Sequence, residues 1–496
     1  SLFAASVSSS ILMGHSGEGF ISGIAVFNYN VGAIFVIIFV SLFFLPFYIK
    51  SGIYTIPEYL GRRFDNRSRK YFSFITIIGN VFLDAGAALY TGALILKIIF
   101  PEIDMMWIII GMALMAGTYT IIGGLSSAIN ADMIQSIILI AGSVLLSIFC
   151  FNSVGGWENF VEHFHDGVWL NLIRPNSDTT VPWFSIFLSI PILGFYFWGN
   201  NQVIVQRVMS AKTVNEGRLG FLFVAFLYVF TLFIFIAPGM VGRMIDLFGV
   251  GDTLPNEIID GNTLRAQYGI DTNEVYPRLI LKLLPVGLIG VMIACMVSAL
   301  TSTLSATLSS VSTLFTMDFY KSWRPESSPR HLVRVGQWTS FIALVVAVLW
   351  APLIGKFASL VAYYQEFSSY LAPPIVGTFL VGLFWKGSTR NGAFAGLMSG
   401  LAMSALIMTY KFGFGGVVPF HFLLWVPILL ILSVLVNIIV SKCDRNKETD
   451  VETYTWNKSV WQDDTRELKT VPWYKNFRYI SIALIIIALL EYWWFF

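Results

Sequence analysis

Charge is what this chain has least of. Charged residues fill 12% of its 496 positions, about half the ~25% usual in a soluble globular protein. Lys and Arg number 31 against 29 Asp and Glu, a formal charge of +2, so the whole chain offers no electrostatic case for nucleic acid. The three cysteines, Cys150, Cys295 and Cys443, are too scattered for a disulfide framework or a metal spacing. No Walker lysine motif occurs, which removes ATP as an energy source. No region sets a nucleophile beside a base or gathers His and Cys, so a polytopic enzyme has nothing to rest on. No basic leader or cleavage pattern opens the chain. Ser1 stands directly in apolar sequence, and the expectation is a start partway into a first membrane helix with a preceding span missing.

What fills the chain instead is apolar. Hydrophobic residues make up 56%, with 43 Phe, 20 Tyr and 15 Trp. A water-soluble core cannot hide that much apolar surface, so a lipid bilayer must be the solvent for most of it. Thirteen candidate spans follow, at 1–26, 29–49, 71–100, 105–122, 126–153, 183–208, 217–242, 278–316, 333–355, 359–385, 391–410, 421–441 and 476–495. The segments between them alternate in charge. Segment 50–70 carries six basic residues against two acids, 101–104 holds Glu102 and Asp104, 154–182 is acidic, 207–218 basic, 246–277 acidic, and 321–334 basic again. With basic segments in the cytoplasm, the first span runs outward and the carboxyl terminus lies outside. Segment 442–475, with charges of both signs, reads as a soluble cytoplasmic linker before the last span.

Four places break the apolar pattern. Each is a functional-site hypothesis, because a charge at mid-membrane costs ~2.5–3.5 kcal/mol on insertion scales. The first is 1–19, where five serines precede Gly14-His15-Ser16-Gly17-Glu18-Gly19; three glycines in six residues predict an interrupted helix whose freed carbonyls can hold a cation. The second is 298–313, ten of whose sixteen residues are Ser or Thr. Ser298, Ser302, Ser305 and Ser309 form a helical stripe with Thr303 beside it, neutral oxygens that suit a monovalent cation, although close packing through small residues would look the same. The third is a set of acids, Asp84, Asp132 and Glu366, each of which could equally make a structural hydrogen bond; Pro373 and Pro374 after Glu366 predict an irregular stretch. The fourth is 194–207, where Gly194 and Gly199 bracket an aromatic cluster followed by Asn200, Asn201, Gln202 and Gln206. Broken spans in first and sixth position divide ten spans into two halves of five, the best sequence pointer to a secondary transporter.

Several motifs then point one way: Gly52-Ile-Tyr-Thr-Ile-Pro-Glu-Tyr-Leu-Gly-Arg-Arg-Phe64, Gly123-Gly-Leu125 leading to Asp132 and Gln135, and Gln202-Val-Ile-Val-Gln-Arg207. Ser312-Thr-Leu-Phe-Thr-Met-Asp-Phe-Tyr-Lys321, Tyr370-Leu-Ala-Pro-Pro-Ile375 and Gly382-Leu-Phe-Trp-Lys386 follow in order. With them the chain resembles the solute:sodium symporter family, most closely its sodium/glucose cotransporter branch. The resemblance implies an all-α polytopic membrane protein with a LeuT-like core of two inverted five-helix repeats and extra helices outside. The first repeat would cover 1–154 and an extracellular loop 155–182. The second would cover 183–386, including an extracellular loop at 243–277. Two peripheral spans at 387–441, the linker 442–475 and a final span at 476–496 complete the chain.

By the same resemblance, sodium is the coupling ion, and its site maps onto Ala4, Val7, Ala299, Ser302 and Thr303. A second sodium site or exit route would use Asp132 and Ser305, but Ala306 lacks the oxygen that the family's second site takes there. Substrate contacts map to His15, Asn30, Asp84, Tyr228 and Gln365, with Tyr29, Phe197 and Trp198 as aromatic gates. Asn30 stands where the branch usually has a glutamate and Tyr228 where it has a lysine. The expected activity is symport of sodium with a small polar solute, a hexose first and a polyol, uronic acid or amino sugar as alternatives, across the cell membrane. A membrane sensor that binds the solute without moving it is the competing class.

Overall fold

Ser10–Phe43 is an apolar helical run of 34 residues, about 50 Å if straight and too long for a ~30 Å hydrocarbon layer. It folds back at Gly23, whose φ of 69° is open to glycine and strained for other residues. A Cβ there would also fall 2.3 Å from the carbonyl oxygen of Trp169. The protein is described here by a computed structural model, which covers residues 2–50, 55–123, 125–165, 167–176, 178, 180–209, 211, 213–251, 254–255, 257–416, 420–444, 454–456, 458–468 and 471–495.

In chain order the main helices are α1 (Leu2–Ser6), α2 (Ser9–Ser22), α3 (Phe27–Phe43), α4 (Asn66–Ile99), α5 (Met105–Gly123) and α6 (Leu125–Ser153). After the loop come α7 (Trp183–Asn200), α8 (Gln202–Met209), α9 (Val214–Val229), α10 (Leu232–Met244), α11 (Val286–Leu314), α12 (Pro329–Ile354) and α13 (Leu360–Phe384). Outside the core lie α14 (Arg390–Met408), α15 (Phe422–Cys443), α16 (Lys458–Leu468) and α17 (Phe477–Trp494). Among the described residues nine helical runs are long and apolar enough to cross a membrane, and two bent pairs pass the same test together. With Ser10–Phe43 taken as a hairpin and the shorter Met105–Thr118 included, each of the expected spans has its helix.

The packing repeats itself in two halves. α3 lies on α9; α4 packs on α5 as α11 packs on α12; and α11 meets α5 as α4 meets α12. Each half opens with a broken helix. α1 stops at Ser6, and Ser8 starts α2 by accepting a hydrogen bond from the Ile11 N–H at 3.4 Å. α7 ends in a π-helical turn at Tyr196–Asn200; Asn201 is extended (ψ 120°), and its Oδ1 accepts from the Val203 N–H at 2.9 Å to start α8.

Two expectations about helix breaks are corrected. The glycine-rich stretch Gly14–Gly19 is regular helix, and the interruption falls earlier, at Val7–Ser8. The glycines let backbones touch: a Cβ on Gly17 would sit 2.6 Å from Thr272 O, one on Gly19 2.3 Å from Ile236 O, and one on the facing Gly239 1.9 Å from Ser16 O. α13 likewise runs through Pro373 and Pro374 without a break. The Tyr370 carbonyl that Pro374 cannot serve accepts instead from Ser404 Oγ of α14 at 2.6 Å.

Among its described residues the linker contains a helix. α16 docks through Asp464, which pairs with buried Arg218 at 2.7 Å, while the Arg218 guanidinium stacks 4.1 Å over the Phe477 ring. Tyr59 donates to Tyr454 O at 3.0 Å and Trp456 N to Leu383 O at 2.9 Å, so the linker shares one side of the bundle with the basic 56–64 segment. At the other end Leu172 N donates to Phe495 O at 2.8 Å, so the end of α17 and segment 155–182 share the opposite side.

Candidate functional site

The two helix breaks meet at one cavity of about 230 Å³, lined by the α1–α2 break at Val7–Ser8 and by residues of α2, α3, α4, α7, α8, α9, α11 and α13 among others. Where α1 stops, its last carbonyls lose their intrahelical N–H partners and become available to a ligand. Val7, at that break, lines the same cavity as Ala299, Ser302 and Thr303. Ala4 belongs to the last turn of α1; its side chain is outside the described residues. On α11 the cavity face is Ala299, Ser302, Thr303, Ala306 and Thr307, the i, i+3, i+4, i+7, i+8 spacing of one helix side. Thr303 Oγ1 donates back to Ala299 O at 3.0 Å, leaving both hydroxyl lone pairs of Thr303 to a cation.

That face is not the expected serine stripe: Ser302 and the adjacent Thr303 line the cavity, whereas Ser298, Ser305 and Ser309 do not. Ser305 is buried but lies off the cavity wall, and the position that faces it is Ala306. The side chain of Asp132 falls outside the described residues.

Above the break, His15 on α2 and Asn30 on α3 are joined: His15 Nε2 and Asn30 Oδ1 are 3.0 Å apart, and His15 Nδ1 bonds Ile11 O at 3.0 Å. Asn30 Nδ2 donates to Thr231 Oγ1 at 2.7 Å, and Thr231 donates to Tyr228 O at 2.6 Å. Both contacts end on acceptor oxygens, so a neutral His15 donates to one of them at a time, whereas each end of the Asn30 amide keeps a further bonding position. Tyr228 lines the cavity and packs edge-on against Phe3 of α1 (5.9 Å) and Trp198 of α7 (5.3 Å), so it ties the two broken helices together.

Phe197 and Tyr29 are half-buried on the wall, while Trp198 is buried and set edge-on to Phe197 at 5.2 Å. Gln365 is on the wall too, and among the described residues its side-chain amide makes no hydrogen bond. Asp84 faces the same space from a π-helical turn, Gly79–Ala85, inside α4. Wall residues that the sequence reading passed over are Tyr196, Tyr364 and Ser368. Tyr364 and Ser368 stand at i−1 and i+3 from Gln365, a periodicity that could have found them. Tyr196 is placed by its π-helical turn, which the sequence does not mark.

Beside Leu360 of the wall, hydrogen bonds join the surrounding segments. Ser359, which caps α13, donates to Glu18, and Leu360 N donates to Asn273 Oδ1 at 3.0 Å. Arg174 of the 155–182 segment donates to Ser22 O at 2.6 Å. In the other direction the wall continues past Ser8 and Val203 to Arg207. Glu366, the third acid of the sequence reading, is absent from the wall. It pairs with Lys411 and accepts from Tyr370 Oη at 3.2 Å, a strut between α13 and the peripheral helices.

Broken helices in corresponding positions of two five-helix halves, meeting at a central polar cavity, define a multi-pass membrane protein with a LeuT-like core. The profile of the sodium:solute symporter family matches residues 1–400, and the chain belongs to that family. Solute carrier family 5 member 4 of Rattus norvegicus is 32% identical over 480 residues, 89% of this chain and 70% of its own length. A sodium/mannose cotransporter of Bos taurus is 33% identical over 431 residues, 83% of this chain and 72% of the relative. Among solved structures, a substrate-bound, outward-open Na+-coupled sialic acid symporter matches with a TM-score of 0.72 at 22% identity, covering 90% of this chain and 89% of that one. At that identity the likeness is one of fold.

Proposed function

We propose that the protein is a sodium-driven symporter that imports a small polyhydroxylated solute of the hexose class by alternating access. The observation that carries this reading is that Val7, at the helix break, and Ala299, Ser302 and Thr303 line the same cavity as His15, Asn30, Phe197 and Gln365. Sodium held by the carbonyls of Ala4, Val7 and Ala299 and the hydroxyls of Ser302 and Thr303 fixes α1 against α11. This organises the wall on which the solute rests, with the Phe197 ring against its apolar face and Asn30 and Gln365 on its hydroxyls. Each ligand then binds better when the other is present, by the same factor. Ser305 takes no part in this scheme.

With the basic segments in the cytoplasm, the hydrogen bond between Glu18 and Ser359 lies toward the outer side and the carboxyl terminus lies outside. The wall running on to Arg207 is the inward path by which both ligands leave. Relatives named for sodium/glucose and sodium/mannose cotransport favour a sugar. The test is uptake of labelled hexoses, an inositol, a uronic acid and an amino sugar into proteoliposomes, with and without an inward sodium gradient. Accumulation of one of them only with the gradient is the expected result. Uptake indifferent to sodium, or binding without accumulation, would refute the symport reading.

A further inference from the structure

One acid on the cavity wall has no partner. The other buried acids are spent: Glu18 on Ser359, Glu366 on Lys411 and Tyr370, Asp318 on Arg69 and Ser73, Asp464 on Arg218. Asp84 makes no hydrogen bond or ion pair among the described residues, and no cationic side chain stands against it. It is the single carboxylate among the described residues of the wall; the single guanidinium, Arg207, belongs to α8, beyond the break at Asn201.

Aromatic side chains share the wall with it. Tyr196 and Tyr364 lie within electrostatic reach of Asp84 and line the cavity with it, as does the ring of Phe197. A carboxylate that shares a wall with tyrosine oxygens and aromatic rings is a recognition set for an organic ammonium, which donates charge-assisted hydrogen bonds to the oxygens and is drawn to the rings by cation–π attraction. A bare hard cation wants a shell of oxygens instead. Ser8 at the helix break and the hydroxyls of α11 belong to such a shell, whereas the wall neighbours of Asp84 on α4 are Leu83 and Ala87. An ionised side chain at this depth is costly without a cation to compensate it.

We propose that Asp84 is a specificity-determining residue and that the solute carried is a polyhydroxylated compound with a protonated amine, in chemical class an amino sugar. This rests on the reading of the cavity as the substrate site of a sodium symporter. The amine sits at Asp84, while the hydroxyls meet Gln365 and Ser368, whose Oγ is buried without a partner.

The experiment measures sodium-gradient uptake of glucosamine, N-acetylglucosamine and glucose by the full chain in proteoliposomes. Glucosamine should exceed both neutral sugars in transport efficiency by about tenfold or more. In D84N that ratio should fall to near one, while D84E keeps most of it. Should D84N fold poorly, competition by the three unlabelled sugars against glucosamine uptake in the unaltered protein reads the same preference. Equal use of a neutral sugar, or a ratio unchanged in D84N, overturns the proposal and leaves the symport reading standing. A changed number of sodium ions per sugar in D84N, with the ratio unmoved, overturns it in favour of a cation site. No sodium-driven uptake of any of the three refutes the proposal together with the reading beneath it.

Discussion

His15 and Asn30 are fifteen positions apart in sequence and 3.0 Å apart in space. Along a continuous helix that separation would be about 22 Å. The contact is the tie that closes the α2–α3 hairpin, and it puts both side chains on the cavity wall. Through Asn30 it reaches Thr231 and Tyr228, so the first, second and seventh spans share one hydrogen-bonded chain.

Asn30→Leu removes the partner of His15 and the donor to Thr231. Each orphaned polar group costs ~1–3 kcal/mol. Half-saturation for the solute should rise about tenfold or more, measured as the concentration dependence of uptake at saturating sodium. An unchanged value would mean that the link is a strut alone.

Thr303→Ala deletes a hydroxyl from the proposed sodium site, while the helix around it needs no side chain there. The sodium concentration for half-maximal uptake should rise about tenfold, equivalent to ~1.4 kcal/mol. Thr303→Ser should stay close to the parent. Full sodium dependence in the alanine variant would displace the site from α11.

Gly239→Ala tests the close approach of α10 to α2. The added Cβ would lie 1.9 Å from Ser16 O, a backbone atom that cannot rotate aside. Overpacking of this kind costs ~1–3 kcal/mol or more, so the melting temperature in detergent should drop. A variant of unchanged stability would show that the two helices part easily.

Asp464→Asn breaks the buried pair that docks α16. Arg218 is then left uncompensated, a loss of ~3–5 kcal/mol for a fully buried pair. Segment 442–475 should become more accessible to limited proteolysis, and Arg218→Met/Asp464→Leu should recover part of the protection.

Glu366→Gln weakens the strut to Lys411. Because the Lys411 side chain is 35% exposed, the loss should lie nearer the ~1 kcal/mol of surface pairs than the cost of a buried one. Transport per folded molecule should be retained. Loss of transport at full stability would return Glu366 to the list of functional acids.

The sequence by itself determined the solvent, the apolar helical runs and the presence of a broken helix in each half. Those follow from apolar run lengths and polar residues that lipid does not tolerate, all of which are local properties of the chain. Of the cavity face of α11 it held Ser302 and Thr303 alone, because hydroxyls recur all round that helix and their spacing does not say which side meets the cavity. What it left open depended on partners distant in sequence. Glycines at Gly14–Gly19 weaken a helix in isolation, but Thr272, Ile236 and Gly239 press against them, so they are packing surfaces and the break moves to Val7. Pro373 and Pro374 read as a stop, yet Ser404 of another helix satisfies the carbonyl they strand. Three acids read alike along the chain; tertiary structure gave Glu366 a lysine and left Asp84 facing the cavity without one. Whether a buried charge is a strut or a site is decided by what stands opposite it, and only the fold brings that residue there.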